Sequence, residues 1–165
     1  MLKEIPFKIP SLSTGQMIEV ERLMTDCYSI TLMQMMENAG RNLAVLAKDL
    51  LGGVVGSKKI CVMAGSGNNG GGGLVAARHL SNWGAEVTCI LATPAQDLKP
   101  VALHQLEIVR HLPVSVVAAG SHLRFINWPD CDLIIDAIFG YGLNREPTGV
   151  TAKIIEKINV LQFKP

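Results

Sequence analysis

The chain has 165 residues, 48% hydrophobic and 18% charged, with 15 basic and 14 acidic side chains and a formal net charge of +1. That length suits a single core, and charges spread without long runs exclude the basic face that a phosphate backbone needs, so no nucleic-acid partner is expected. No stretch approaches the roughly 18 uninterrupted apolar residues of a membrane span. Lys3, Glu4, Pro6 and Lys8 spoil the layout of a secretory leader, so the expected setting is cytoplasmic.

Residues 11 to 51 read as helical. Ser13-Thr14-Gly15-Gln16 offers an N-cap, and Met17, Val20, Leu23 and Met24 follow at helix spacing. After a break near Ser29, a second helix carries Leu32, Met35, Met36, Ala39, Leu43 and Leu46 on one side and ends at Gly52-Gly53. That Met-rich stripe reads as core or as a dimer seam.

From residue 58 short apolar runs alternate with helical segments. Strands are expected at 59–64, 85–92, 114–118 and 132–137, with helices at 74–83, 100–112 and 150–159. Near-continuous apolar strands alternating with helices imply a mostly parallel sheet covered on both faces. The expected architecture is a Rossmann-like three-layer α/β sandwich preceded by N-terminal helices. Cys27, Cys61, Cys89 and Cys131 show no C-x-x-C spacing and read as reduced, mostly buried thiols. His79, His104, His111 and His122 form no motif.

Ligands of such sheets bind outside the carboxyl ends of the strands, so the turns after Ala64 and Ala137 are where chemistry is expected. Gly65-Ser66-Gly67-Asn68-Asn69-Gly70 fits G-x-G-x-x-G between a strand and a helix, and Gly71-Gly72-Gly73 eases backbone approach further. A dinucleotide oxidoreductase would also want an acidic residue ending the second strand, whereas Glu86 falls at that strand's start and Asp97 beyond its end. The lysine of a P-loop is missing as well. Asn68 and Asn69 bring amide groups able to coordinate a hard cation or grip sugar hydroxyls. In the second turn, Asp136 at a strand end and Arg145 just beyond favour an anionic ligand with an associated cation.

Together these segments resemble a known family. Ala64 to Leu80 is similar to the signature of the NAD(P)H-hydrate epimerases, the YjeF N-terminal domain family. Asp136 to Arg145 with Pro147, Gly149 and the following helix resembles its second motif, and Glu37-Asn38-Ala39-Gly40 its N-terminal one. The resemblance implies one domain over residues 1–165 that stops short of the family's last strand and the segment after it. It implies interconversion of the R and S forms of hydrated NADH or NADPH, a potassium ion, a homodimer, and a fused or separate ADP/ATP-dependent dehydratase as partner. By motif, Asn68, Asn69, Gly70, Gly71 and Gly72 would contact the nucleotide, and Gly140, Tyr141, Gly142, Leu143, Asn144, Arg145 and Glu146 its phosphate region. Asn69 and Asp136 would hold the potassium, and Asp136 would carry any acid/base role. The family's loop reads N-N-G-G-D-G, and here Gly72 takes the Asp position. The alternative is a module that keeps the fold as a ligand-binding scaffold with weakened or lost catalysis. Retention of Asn68, Asn69, Asp136 and Arg145 favours the enzyme.

Overall fold

The computed structural model describes residues 11–118 and 130–160. Contacts divide the chain after Thr31 into two compact units. The first contains helix α1 (Thr14–Asp26). Its start is the expected one: the Ser13 hydroxyl accepts from Gln16 N–H at 3.3 Å, and the Gln16 carboxamide accepts from Ser13 N–H at 2.8 Å. Such a reciprocal cap contributes about 1 kcal/mol.

The second unit holds α2 (Leu32–Leu50), β1 (Lys59–Ala64), α3 (Asn68–Asn82), β2 (Glu86–Leu91), α4 (Pro100–Val109), β3 (Val114–Ala118), β4 (Leu133–Ala137) and α5 (Gly149–Asn159). The four strands form one sheet in the order β3-β2-β1-β4, and every described pairing is parallel. Side-chain alternation along the strands builds two cores. Ile60, Val62 and Ala64 of β1 join Val87, Cys89 and Leu91 of β2 beneath Leu74, Ala77 and Leu80 of α3 and Ala102, Leu106 and Val109 of α4. On the opposite face, Met63 and Ile90 meet Ile154 of α5. The three-layer α/β expectation therefore holds.

Two helices depart from their expected form. The third begins at Asn68 instead of near Leu74, so the entire glycine run is helical. Each glycine costs a helix about 1 kcal/mol relative to alanine, and close packing offsets that cost. A Cβ on Gly71 would overlap Met36 Sδ, and one on Gly73 would overlap the Ala137 Cβ. In the second helix the buried residues are Met36, Gly40, Ala44 and Ala47, while Leu46 of the expected stripe is exposed. Small residues form the buried face because α3 lies so near that a Cβ on Gly40 would strike Val75 and the Gly72 carbonyl.

The cysteine expectation is corrected in part. Cys61 and Cys131 are joined in a disulfide with their Cα atoms 6.4 Å apart, a span typical of such bonds. They meet because β4 lies directly beside β1, a neighbour relation that spacing in the sequence does not reveal. Cys89 is a buried thiol that burial pushes up to about 12, which makes it inert at neutral pH.

Candidate functional site

Strand order reverses between β1 and β4: the chain runs from β1 outward to β2 and β3, then returns to the other side of β1 as β4. The crevice outside the carboxyl ends of this pair is the binding position of open α/β sheets. Both glycine-rich turns emerge there, since the register aligns Ala64 with Ala137 and Met63 with Asp136.

The first turn is folded tightly against the second. Gly65 N–H donates to the Ala137 carbonyl at 3.1 Å, and a Cβ on Gly65 would collide with the Ile138 carbonyl. Ser66 O accepts from Lys99 N–H at 2.8 Å, which ties the start of α4 to the same rim. Gly67 caps α3 without a side-chain hydrogen bond, so the first-turn amides point outward as orphan donors suited to an anion. Asn68 and Asn69 are exposed on that turn, Gly70 and Gly71 are buried beneath it, and Gly72 has open space where a Cβ would stand.

One contact joins the two turns. Asn69 Nδ2 donates to the Phe139 carbonyl at 2.8 Å, which orients the carboxamide and leaves Oδ1 as its acceptor atom. Gly140 backs onto the same residue, with space for a Cβ only 3.4 Å from Asn69 Cβ. Asp136 stands exposed at the end of β4, where its Oδ1 accepts from Ile138 N–H at 2.9 Å. Asn69 Oδ1 and Asp136 offer oxygen donors only, the chemistry that a hard cation requires.

Gly140, Tyr141, Gly142, Leu143, Asn144, Arg145 and Glu146 are all exposed, and a Leu143 N–H to Gly140 O bond of 3.3 Å turns the segment. Phe139, Tyr141 and Leu143 are 41%, 48% and 47% exposed, an apolar wall beside otherwise polar groups. Phe139 was absent from the sequence-derived set. Its carbonyl becomes important only through the tertiary bond to Asn69. A groove of about 460 Å³ lies elsewhere, between α2 and α4, and none of its lining residues belongs to the expected set.

One of the four histidines, His79, joins an ion pair between α2 and α3. Glu37 of α2 makes a two-oxygen ion pair with Arg78 Nη2 of α3, and His79 Nε2 lies 2.9 Å from Glu37 Oε1. Burial pushes the Glu37 carboxyl up, but hydrogen bonds from Arg78 and His79 outweigh it and hold the group below its ordinary range. The clue in the sequence was Glu37-x-x-Gly40, a spacing that puts a carboxylate and a glycine on one helix face.

A parallel sheet with a glycine-asparagine turn and an aspartate at its switch point defines a Rossmann-like α/β protein. Comparison with known proteins narrows this class. The profile of the family described as YjeF-related protein N-terminus matches residues 32–164, and the chain belongs to that family. It is 37% identical to an NAD(P)H-hydrate epimerase of Dehalogenimonas lykanthroporepellens, over 92% of this chain and 60% of the relative. It is 38% identical to an NAD(P)H-hydrate epimerase of Plasmodium vivax, over 90% of this chain and 49% of the relative. A bifunctional NAD(P)H-hydrate repair enzyme Nnr of Moorella thermoacetica is 36% identical, over 90% of this chain and 29% of that protein. The chain thus spans between about three tenths and three fifths of the length of these relatives. A crystal structure of the yeast protein ynu0 superimposes with a TM-score of 0.72 at 27% identity, covering 93% of this chain and 68% of that one.

Proposed function

We propose that this chain interconverts the R and S epimers of hydrated NADH or NADPH, as the names of its relatives indicate for them. The observation that carries this reading is the Asn69 to Phe139 hydrogen bond, because it draws both turns into one cradle at the switch point. In this reading the first-turn amides and Asn68 to Gly72 receive the dinucleotide. Gly140 to Glu146 encloses its phosphates, with Arg145 supplying the fixed positive charge.

Epimerisation requires a proton or water to leave the hydrated carbon and return on the opposite face. In this reading Asp136 moves that proton, supported by its exposure at the end of β4 and by the Ile138 N–H that anchors one of its oxygens. Asn69 Oδ1 and Asp136 would hold a potassium ion, which supplies positive charge beside the phosphates when bound. Gly72 leaves no carboxylate on the first turn, so the acid/base work rests on Asp136 alone in this scheme.

A homodimer belongs to the same proposal. Val45, Leu46, Leu50 and Val54 expose large apolar side chains in and just after α2, a surface of the kind that a second copy covers. A dehydratase, fused or separate, would act on the product, in keeping with the bifunctional names of some relatives. Among the described residues, no helix is long and apolar enough to cross a membrane.

The test is a time course with R-form NADPH hydrate, potassium and an S-specific dehydratase draining the product. The expected result is a potassium-dependent rate above the spontaneous one, with Asp136→Ala slower by about 100-fold or more. A wild-type rate equal to the blank would overturn the epimerase and leave the ligand-binding scaffold. Normal turnover by Asp136→Ala would instead reject its proton-transfer role.

A further inference from the structure

Helix α2 takes no part in the cradle, yet it touches the cradle's helix along its length. Met36 lies against Gly71, and Gly40 lies against the Gly72 carbonyl and Val75, so the glycine run at the start of the cradle's helix rests directly on α2. A turn away from that contact, Glu37 grips Arg78 and His79. Beyond His79, Trp83 stands 5.8 Å from the imidazole ring and 5.5 Å from the ammonium of Lys48 on α2, which extends the seam to the far end of α3. Smooth glycine contacts resist approach but do little to oppose sliding or rotation about the helix axis. The polar grip supplies that constraint, because a guanidinium and an imidazole converging on one carboxylate satisfy a narrow range of geometries.

We propose that Glu37 is a positioning residue: by holding Arg78 and His79 it sets the axial position and rotation of α3, and with them the direction of the first-turn amides and of Asn69. The inference rests on the cradle being the dinucleotide site, but its physical claim concerns α3 alone. Arg78 is about four-fifths buried, so loss of Glu37 leaves a cation with little water around it, and α3 must shift to hydrate that charge.

The experiment compares wild type, Glu37→Ala and Glu37→Gln by residue-resolved amide hydrogen exchange and by epimerisation kinetics. In Glu37→Ala the bonded amides from Gly71 to Val75 are expected to exchange about tenfold faster while those of β1 and β2 keep their protection. KM is expected to rise about tenfold with kcat changed by less than about twofold, the signature of a misdirected binding turn. Glu37→Gln keeps an oxygen acceptor for Arg78 but not the negative charge, and is expected to recover only part of both effects. Unchanged exchange at Gly71 to Val75 would overturn the proposal. So would a uniform rise across the sheet with KM unaltered, since that marks simple destabilisation. If wild type shows no turnover, the epimerase reading fails, and the exchange pattern still decides the role of Glu37.

Discussion

The two ends of the β1–β4 pair are built on opposite plans. At the amino end, Cys61 is bonded to Cys131, Asp132 accepts from Lys59 N–H at 2.8 Å and from Lys58 Nζ at 3.2 Å, and Asp132 N–H returns a bond of 2.8 Å to the Lys59 carbonyl. At the carboxyl end the contacts between turns are Gly65 N–H to Ala137 O and Asn69 to Phe139 O, and every residue from Gly140 to Glu146 is exposed. A sheet clamped at one end can leave the other free to meet a ligand, because the opening of a functional loop then costs little of the core's stability. The comparison can be broken by loosening the clamp or by crowding the open end.

Loosening the clamp is expected to give the largest effect. The disulfide closes a loop across 70 residues of sequence, for which chain entropy predicts a loss of about 4 kcal/mol on removal, with unfolded-state structure reducing the figure. Cys61→Ser with Cys131→Ser, or dithiothreitol on the wild type, should lower the denaturant midpoint and raise the m-value, because the unfolded chain without the crosslink exposes more surface. Affinity for the ligand in still-folded protein should be unaffected. A midpoint indifferent to reductant would show that the Asp132 bonds alone hold this end, whereas a matching loss of affinity would dissolve the distinction between the ends.

Much of the open end was legible in the sequence, and the clamp was not. Asp136 and the Gly65 turn could be placed because apolar runs mark parallel strands and ligands gather at their carboxyl ends, a rule that needs only element order. The pairing of Cys61 with Cys131 needs the lateral order of strands, which no local pattern encodes. The start of α3 was misjudged for a related reason: propensity argues against helix through Gly70 to Gly73, and contacts with Met36 and Ala137 override it. The buried face of α2 is legible only in part: Met36 of the apolar stripe is buried and Leu43 packs against the core, but close approach to α3 adds Gly40, Ala44 and Ala47, small residues that an apolar stripe does not single out.

Crowding the open end should give intermediate effects of opposite sign at adjacent positions. Gly73→Ala would force a methyl group against Ala137 and is expected to cost about 2 kcal/mol. Gly72→Ala meets open space within the helix and should stabilise the fold by about 0.5 to 1 kcal/mol, through lower entropy of the unfolded chain. Paired thermal melts of the two variants check this. If both destabilise alike, α3 is not seated as described, and the space above Gly72 could not have accepted the aspartate of the family pattern either.

The smallest effect, and the finest test of the comparison, is on pH. Asp132 is held below its ordinary 3.8, first by the Lys59 amide and then by Lys58, and Glu37 is held below its ordinary 4.5 by Arg78 and His79 against the opposing pull of burial. A carboxyl whose folded pKa is depressed stabilises the fold fully above its unfolded pKa and loses that contribution as pH falls through the folded value. The contribution of Glu37 should therefore be intact from pH 7 to about 5 and begin to fall below 4.5, with that of Asp132 following below 3.8. Both groups are partly solvated, so each step is modest and shrinks with added salt. Denaturant midpoints measured from pH 6 to pH 3 should decline less steeply in Glu37→Gln from 4.5 downward, and in Asp132→Asn only at the lower end. Only the Glu37 step should be accompanied by faster exchange at Gly71 to Val75, because that carboxylate sits on the seam supporting the cradle while Asp132 belongs to the distant clamp. Faster exchange there on protonation of Asp132 would mean that the two ends of the strand pair are mechanically one.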